Sequence, residues 1–460
     1  MTDTAINITA DPSVRQAEFL NYVPAIMSYA EELNKPDIAA VEKAVAYFVK
    51  RHESVRTIFP LVDGVVKQVI LPYDRVKFGI EIIDATVATP SEEEIKSQCL
   101  KKTEKQFANK KKGPLVKFFL FKQHGQKYTF LLLIDHIVCD AWSMAKIIKE
   151  EIPRFYMDYM SGREPSLPPL KMQLREYCER QKQWLHVNRE ALGSFWKEKL
   201  TGYDDRYDIN SFYNRFFLRN GQLSGKNNSF PVKTDKQFTK LYTHQRSGLY
   251  TFQVTHPEFT RLKELVDANK CTMSSVIYAS WYIFLYCYTG RNKQLIAAFI
   301  ADRFVPAYRS IIGLLIGTVY FPEEISDDMV VNDFISKTLY DVLANCEKII
   351  FSHEYLGLDE KKLNLAFDLL INYIKINNAA PHIPELEQQH LSILGTPYVL
   401  EAMVHEYDDC LVFYWKYKPL FDSNLIEDMV ACYKNILGFI AENGNKTIGE
   451  VKEYFLQPVA

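Results

Sequence analysis

The stretch Ile134-Asp135-His136-Ile137-Val138-Cys139-Asp140-Ala141-Trp142-Ser143 holds the densest chemistry in this chain of 460 residues. A neutral imidazole accepts a proton near neutral pH, which suits His136 to general-base work or to holding a nucleophile in line. The run before it, YTFLLLI (128–134), is apolar on both faces and reads as a buried central strand. His136 therefore stands where a rigid sheet ends and a pocket can open. Asp140, four residues on, cannot share its strand face, so the chain must turn between them. Spacing alone is better met by a core histidine followed by a turn aspartate. Cys139 reads as a small buried hydrophobe in preference to a nucleophile. Ser143 either hydrogen-bonds a developing oxyanion or caps the next helix. His353-Glu354 and His405-Glu406 are isolated pairs and suggest no metal site.

The elements that must position these residues alternate between strand and helix. IAAVEKAVAYFVK (38–50) has apolar residues at helical spacing. Ser91 followed by three glutamates opens a helix over 91–109, which ends in Lys110-Lys111-Lys112. LVKFFLF (115–121) and YTFLLLI flank KQHGQK, a hairpin turn. Residues 143–158 read as helix, 161–170 as a Pro-rich connector, 172–200 as a long aromatic-bearing helix, and 219–236 as a linker. Beyond it come a strand (249–255), a helix from Pro257, an apolar helix capped by Thr272, and strands at 294–301, 363–374 and 410–417. A final amphipathic helix covers 423–442. The pattern predicts two α/β lobes. The N-terminal lobe would cover 1–170, crossing helices and linker 171–235, and the C-terminal lobe 236–460.

Hydrophobic residues at 47% and charged residues at 24% allow sizeable cores and exclude global disorder. Lys+Arg at 55 against Asp+Glu at 57 argue against nucleic-acid binding through bulk positive charge. None of the eight cysteines has CxxC spacing, so they read as reduced and the chain as cytoplasmic. There is no signal peptide pattern and no apolar run long enough to span a bilayer. The lysines at 101, 102, 105 and 110–112 fit a solvated face, or a dock for an acidic partner.

Taken together, several blocks resemble the condensation domains of nonribosomal peptide synthetases, within the chloramphenicol-acetyltransferase-like acyltransferases. Asp135-His136-x-x-x-Asp140-Ala141-Trp142-Ser143 is similar to their HHxxxDG motif, often continued as DGWS. Arg51 to Phe59 (RHESVRTIF) resembles RHExLRTxF, and Gly113-Pro114-Leu115-Val116-Lys117 resembles GPLxR. Trp184, Phe195-Trp196 and Leu200-Thr201-Gly202 resemble the aromatic crossing segment. Tyr288-Thr289-Gly290 with Arg303, Ile312 to Thr318 (similar to IGxFVNT) and Leu420-Phe421-Asp422 extend the likeness almost end to end. The opening SxAQ motif finds no good match.

The resemblance implies two lobes forming a V with a tunnel between them and His136, the family's catalytic histidine, at its floor. It implies attack of an amine on an acyl thioester. The acyl group would arrive on the phosphopantetheine arm of a carrier protein, and the acceptor amine would be free or carried. No adenylation or carrier segment is visible, so a free-standing monomer served in trans is expected, with no bound cofactor, metal, membrane or nucleic acid. Asp140 is implied to be structural and paired with an arginine, for which Arg56 is the candidate. Asp135, Ala141, Trp142, Ser143 and Gly317 are expected to line the site. Three of them depart from the pattern: Asp135 for the first histidine, Ala141 for glycine, Gly317 for asparagine. These changes point to an unusual substrate, with Asp135 meeting a cationic acceptor, or to lost catalysis and a recruitment module for carrier or tailoring proteins. A coenzyme-A-dependent acyltransferase is the further alternative, although its plant-type DFGWG is absent.

Overall fold

A computed structural model describes residues 8–20, 25–75, 78–86, 91–203, 209–219, 248–358, 369–376 and 398–456. The linker expected at 219–236 lies, but for Arg219, outside the described residues.

The chain divides into two compact units, Met1–Glu190 with Ala301–Gly317, and Ala191–Ile300 with Thr318–Ala460. Both are α/β, as expected, but the division differs from the sequence reading. The described residues of 171–235 divide between the two units at Glu190, and Ala301–Gly317 belongs with the first unit. The reason is packing. Met172, Leu174, Tyr177 and Cys178, around the start of the helix Leu174–Lys199, share a small core with Ile311 and Leu315. Further along the same helix, in the second unit, the Trp196 indole donates to the Lys348 carbonyl at 2.8 Å.

The first unit is built on a four-stranded sheet in the order Ile26–Asn34, Lys127–Asp135, Val116–Lys122, Ile80–Asp84. Lys127–Asp135 is central and antiparallel to both neighbours, with Ile26 opposite Asp135. Seven of its residues, Thr129 to Asp135, are buried, as the two-faced apolar run requires. Helix Ile38–Arg51 is capped by Asp37, whose carboxylate accepts the Ala39 and Ala40 N–H groups. Helix Glu92–Ala108 begins in a capping box between Ser91 and Glu94.

The second unit carries a mixed six-stranded sheet: Gly248–Val254, Leu411–Tyr417, Leu400–Glu406, Leu369–Lys375, Lys293–Ala301, Ile316–Glu324. Helix Met273–Thr289 is buried on every side from Ser275 to Tyr288, which explains why its sequence is apolar without periodicity. Gly290 ends it at φ 73°, a conformation open to glycine without strain. Trp281 on this helix meets the Trp415 ring at 5.0 Å and the Tyr433 ring at 5.4 Å. The strand Ile316–Glu324 and the helix Val331–Cys346 were not read from the sequence as elements.

Candidate active site

The central strand ends at Asp135, and His136 opens a 3-10 turn, His136–Val138. The His136 N–H donates to the Ala25 carbonyl at 2.7 Å, and its own carbonyl accepts the Cys139 N–H at 3.2 Å. The ring is half-buried and lies 5.6 Å from the Phe19 ring. Its Nδ1 is buried and has no hydrogen-bond partner among the described residues. Burial pushes the imidazole below its ordinary pKa, with nearby carbonyls and the Asp140 charge opposing and the Arg15 charge adding to the fall. The ring is therefore neutral at pH 7 and able to take a proton.

Asp140 is fully buried and gathers five contacts. Its Oδ1 accepts the Ser143 N–H and the Ser143 hydroxyl, both at 2.7 Å, and the Arg303 Nη2 at 3.0 Å. Its Oδ2 accepts the same Nη2 at 2.8 Å and the Leu315 N–H at 3.1 Å. Arg303 spends its other terminal nitrogen on the Tyr308 and Ile311 carbonyls, at 2.5 and 2.6 Å. The motif loop is thus fastened to 303–315 inside the first unit.

This corrects the expected partner. Arg56 does not meet Asp140. Its Nε donates to the Val49 carbonyl at 3.0 Å and its Nη1 to the Leu71 carbonyl at 2.6 Å. It satisfies an open carbonyl at the end of helix Ile38–Arg51, where the chain turns. Arg303 was visible only as part of the family pattern, because 163 residues of separation defeat any spacing argument.

Ser143, expected to line the site, is buried, and its hydroxyl is consumed by the Asp140 cluster. It also accepts the Gly313 N–H at 3.1 Å, and a Cβ at Gly313 would stand 2.5 Å from a Leu174 methyl group. Asp140, not Ser143, caps the following turn. Ala141 and Trp142 are half-buried, and the Trp142 indole donates to the Arg309 carbonyl at 3.1 Å. Gly317 is buried in the strand Ile316–Glu324.

Asp135 differs most from expectation. It is only 1% exposed, so it presents no carboxylate to an acceptor. Its Oδ1 accepts the Ile137 N–H at 2.9 Å, and Lys110 Nζ lies 3.9 Å from Oδ2. Lys110 is buried, whereas Lys101, Lys102, Lys105, Lys111 and Lys112 are exposed, so the basic run is not one solvated face. The Cys139 thiol is held well above its ordinary pKa by burial and is unreactive, as expected of a small hydrophobe.

The sequence reading missed Ser13 and Gln16. Ser13-Val14-Arg15-Gln16 keeps the serine and glutamine of SxAQ and departs at Arg15. The two side chains form a capping box on the helix Val14–Phe19. Gln16 is fully buried and donates to the Ile137 carbonyl at 3.0 Å, bracing the His136 turn from a second side. The serine-x-x-glutamine spacing was the available signal. His353 meets the Tyr320 hydroxyl at 2.8 Å, and no metal-ligating cluster exists among the described residues. No helix there is long and apolar enough to cross a membrane.

The profile of the Condensation domain family matches residues 21–454. One of the linear gramicidin synthase proteins of Brevibacillus parabrevis is 24% identical over 443 residues, covering 92% of this chain but 5% of that protein. A surfactin synthase protein of Bacillus subtilis (strain 168) is 24% identical over 427 residues, 90% of this chain and 11% of its own length. The chain thus spans a small part of the curated relatives it matches. Among solved structures, the condensation domain from the Monacolin K polyketide synthase MokA superposes with a TM-score of 0.74 at 13% identity, covering 96% of this chain and 99% of that one. A complex of the X-domain and OxyB from teicoplanin biosynthesis gives 0.69 at 17% identity, covering 98% of each chain.

Proposed function

The chain belongs to the condensation-domain family, and from that premise we propose that it joins a carrier-bound acyl or aminoacyl thioester to an amine in nonribosomal peptide or related biosynthesis. The observation that carries this reading is the placement of His136: a partly buried ring, kept below its ordinary pKa by that burial, on a turn braced by Gln16 and by the Asp140–Arg303 cluster. A neutral imidazole takes the proton from the attacking nitrogen as the C–N bond forms at the thioester carbonyl. The tetrahedral intermediate then expels the phosphopantetheine thiolate, the C–S bond breaks, and the imidazolium returns its proton to sulfur. The chain needs no resident cofactor for this. The acyl group is delivered by a carrier protein, and the acceptor is a small or carrier-bound amine.

A second reading, a recruitment module without catalysis, is favoured by Ala141 and Gly317. One assay separates the two. With an acyl-loaded carrier and an amine acceptor, His136→Ala should slow amide formation by about 10²-fold or more at unchanged fold. An equal rate in the variant removes His136 from the mechanism and leaves recruitment standing.

A further inference from the structure

We infer that Asp135 and Lys110 form a buried positioning pair for the His136 turn, so that the residue standing in place of the family's first histidine acts through Lys110 on the turn. The inference deepens the reading just given and rests on it for its functional meaning, although the pair itself can be tested without catalysis.

Asp135 is the last residue of the central strand, and its N–H is fixed to the Leu115 carbonyl at 2.9 Å. Its Oδ1 accepts the Ile137 N–H at 2.9 Å and so closes the turn whose first residue is His136. Its Oδ2 is buried and lacks a hydrogen-bond partner among the described residues. A carboxylate so placed is costly unless a cation faces it. Lys110 supplies that cation, with Nζ at 3.9 Å and a side chain 9% exposed. Its backbone is anchored too, because its carbonyl accepts the Phe59 N–H at 2.8 Å. The strand neighbours that flank Asp135, Ile26 and Leu115, bring no charge. Among the described residues Lys110 is the charged side chain that bears on Asp135, and burial, opposed by it, pushes the carboxyl up to about 6. At neutral pH the group is ionised, and the pair holds strand end, turn and Lys110 segment together.

A histidine at 135 would face Lys110 with a neutral or cationic ring where a carboxylate now sits. Reverting this position to the family residue should fail unless Lys110 is changed as well. The test uses the full chain labelled at its histidine rings, with the His136 signal assigned by its loss in His136→Gln. Asp135→His should lower the melting temperature by about 5 °C or more and displace the His136 signal. Asp135→His with Lys110→Met should recover at least half of both changes. Strict additivity, or an Asp135→His protein as stable as the wild type with an undisturbed signal, overturns the inference. If Asp135→His does not fold, Asp135→Asn and Lys110→Met decide: each should lower the melting temperature and displace the His136 signal, and the double variant should cost less than their sum. Strict additivity of the two, or an undisturbed His136 signal in both, also overturns it. None of these readouts needs turnover, so a protein that proves catalytically silent would sink the proposed activity while leaving the pair to be judged on its own.

Discussion

Replacing Arg303 by methionine removes the cation from a carboxylate that has no exposed surface. Asp140 would keep the two Ser143 donors and the Leu315 N–H, at 2.7, 2.7 and 3.1 Å, but would lose both contacts to Nη2. Breaking one side of such a buried pair costs about 3–5 kcal/mol. The Tyr308 and Ile311 carbonyls also lose their donor, which places the loss toward the upper end. At roughly 2–4 °C per kcal/mol for a unit of this size, the melting temperature should fall by about 6–20 °C. Asp140→Asn should cost a similar amount, since it strands a buried guanidinium. The double variant strands neither charge and should cost less than the sum by about 0.5–3 kcal/mol. Arg56→Met is the control: it loses two bonds to carbonyls but strands no buried carboxylate. The measurement is equilibrium unfolding of all four variants. Strict additivity, or an Arg303→Met protein no weaker than Arg56→Met, would refute the assignment of Arg303 as the partner that holds the motif.

Gln16→Leu removes the donor to the Ile137 carbonyl and half of the Ser13 capping box, and should cost about 1–3 kcal/mol in thermal unfolding. Equal stability would mean that the helix Val14–Phe19 does not brace the turn. Because burial lowers the His136 pKa, the neutral base persists in more acid solution, and the acid limb of kcat/KM should lie below the ordinary histidine value of about 6.5. A limb above that value would contradict it. His52, also lowered by burial while its Nε2 lies 2.8 Å from Glu151, acts with His136 on stability. For a base with a depressed folded pKa, the contribution is present above about 6.5 and is lost as pH falls, so melting scans between pH 7 and 5 should show a decline that is smaller in His52→Gln.

The elements that were legible each carried a local signal: Ser91 with its glutamates, the two-faced apolar run of the central strand, the Thr272 cap. His136 was legible because it follows that strand directly. Arg303 was not, since its meeting with Asp140 depends on tertiary packing that no period records. The burial of Asp135 was also hidden. A charged residue at a strand end reads as exposed until its partner is known, and Lys110 sits in a run of otherwise exposed lysines. Gln16 is the instructive miss: its capping-box spacing was readable, but Arg15 in place of alanine obscured the family pattern.

The membership of Ala301–Gly317 in the first unit has a consequence for dissecting the protein. Its flanking strands, Lys293–Ala301 and Ile316–Glu324, both belong to the sheet of the second unit. The first unit is therefore not a contiguous piece of chain. A fragment cut after Glu190 would contain Asp140 and His136 but neither Arg303 nor the Leu315 N–H. Its most deeply buried carboxylate would then be left with Ser143 alone. The boundaries that matter for shuffling or splitting this protein are set by where one arginine must return, not by where the chain crosses a loop.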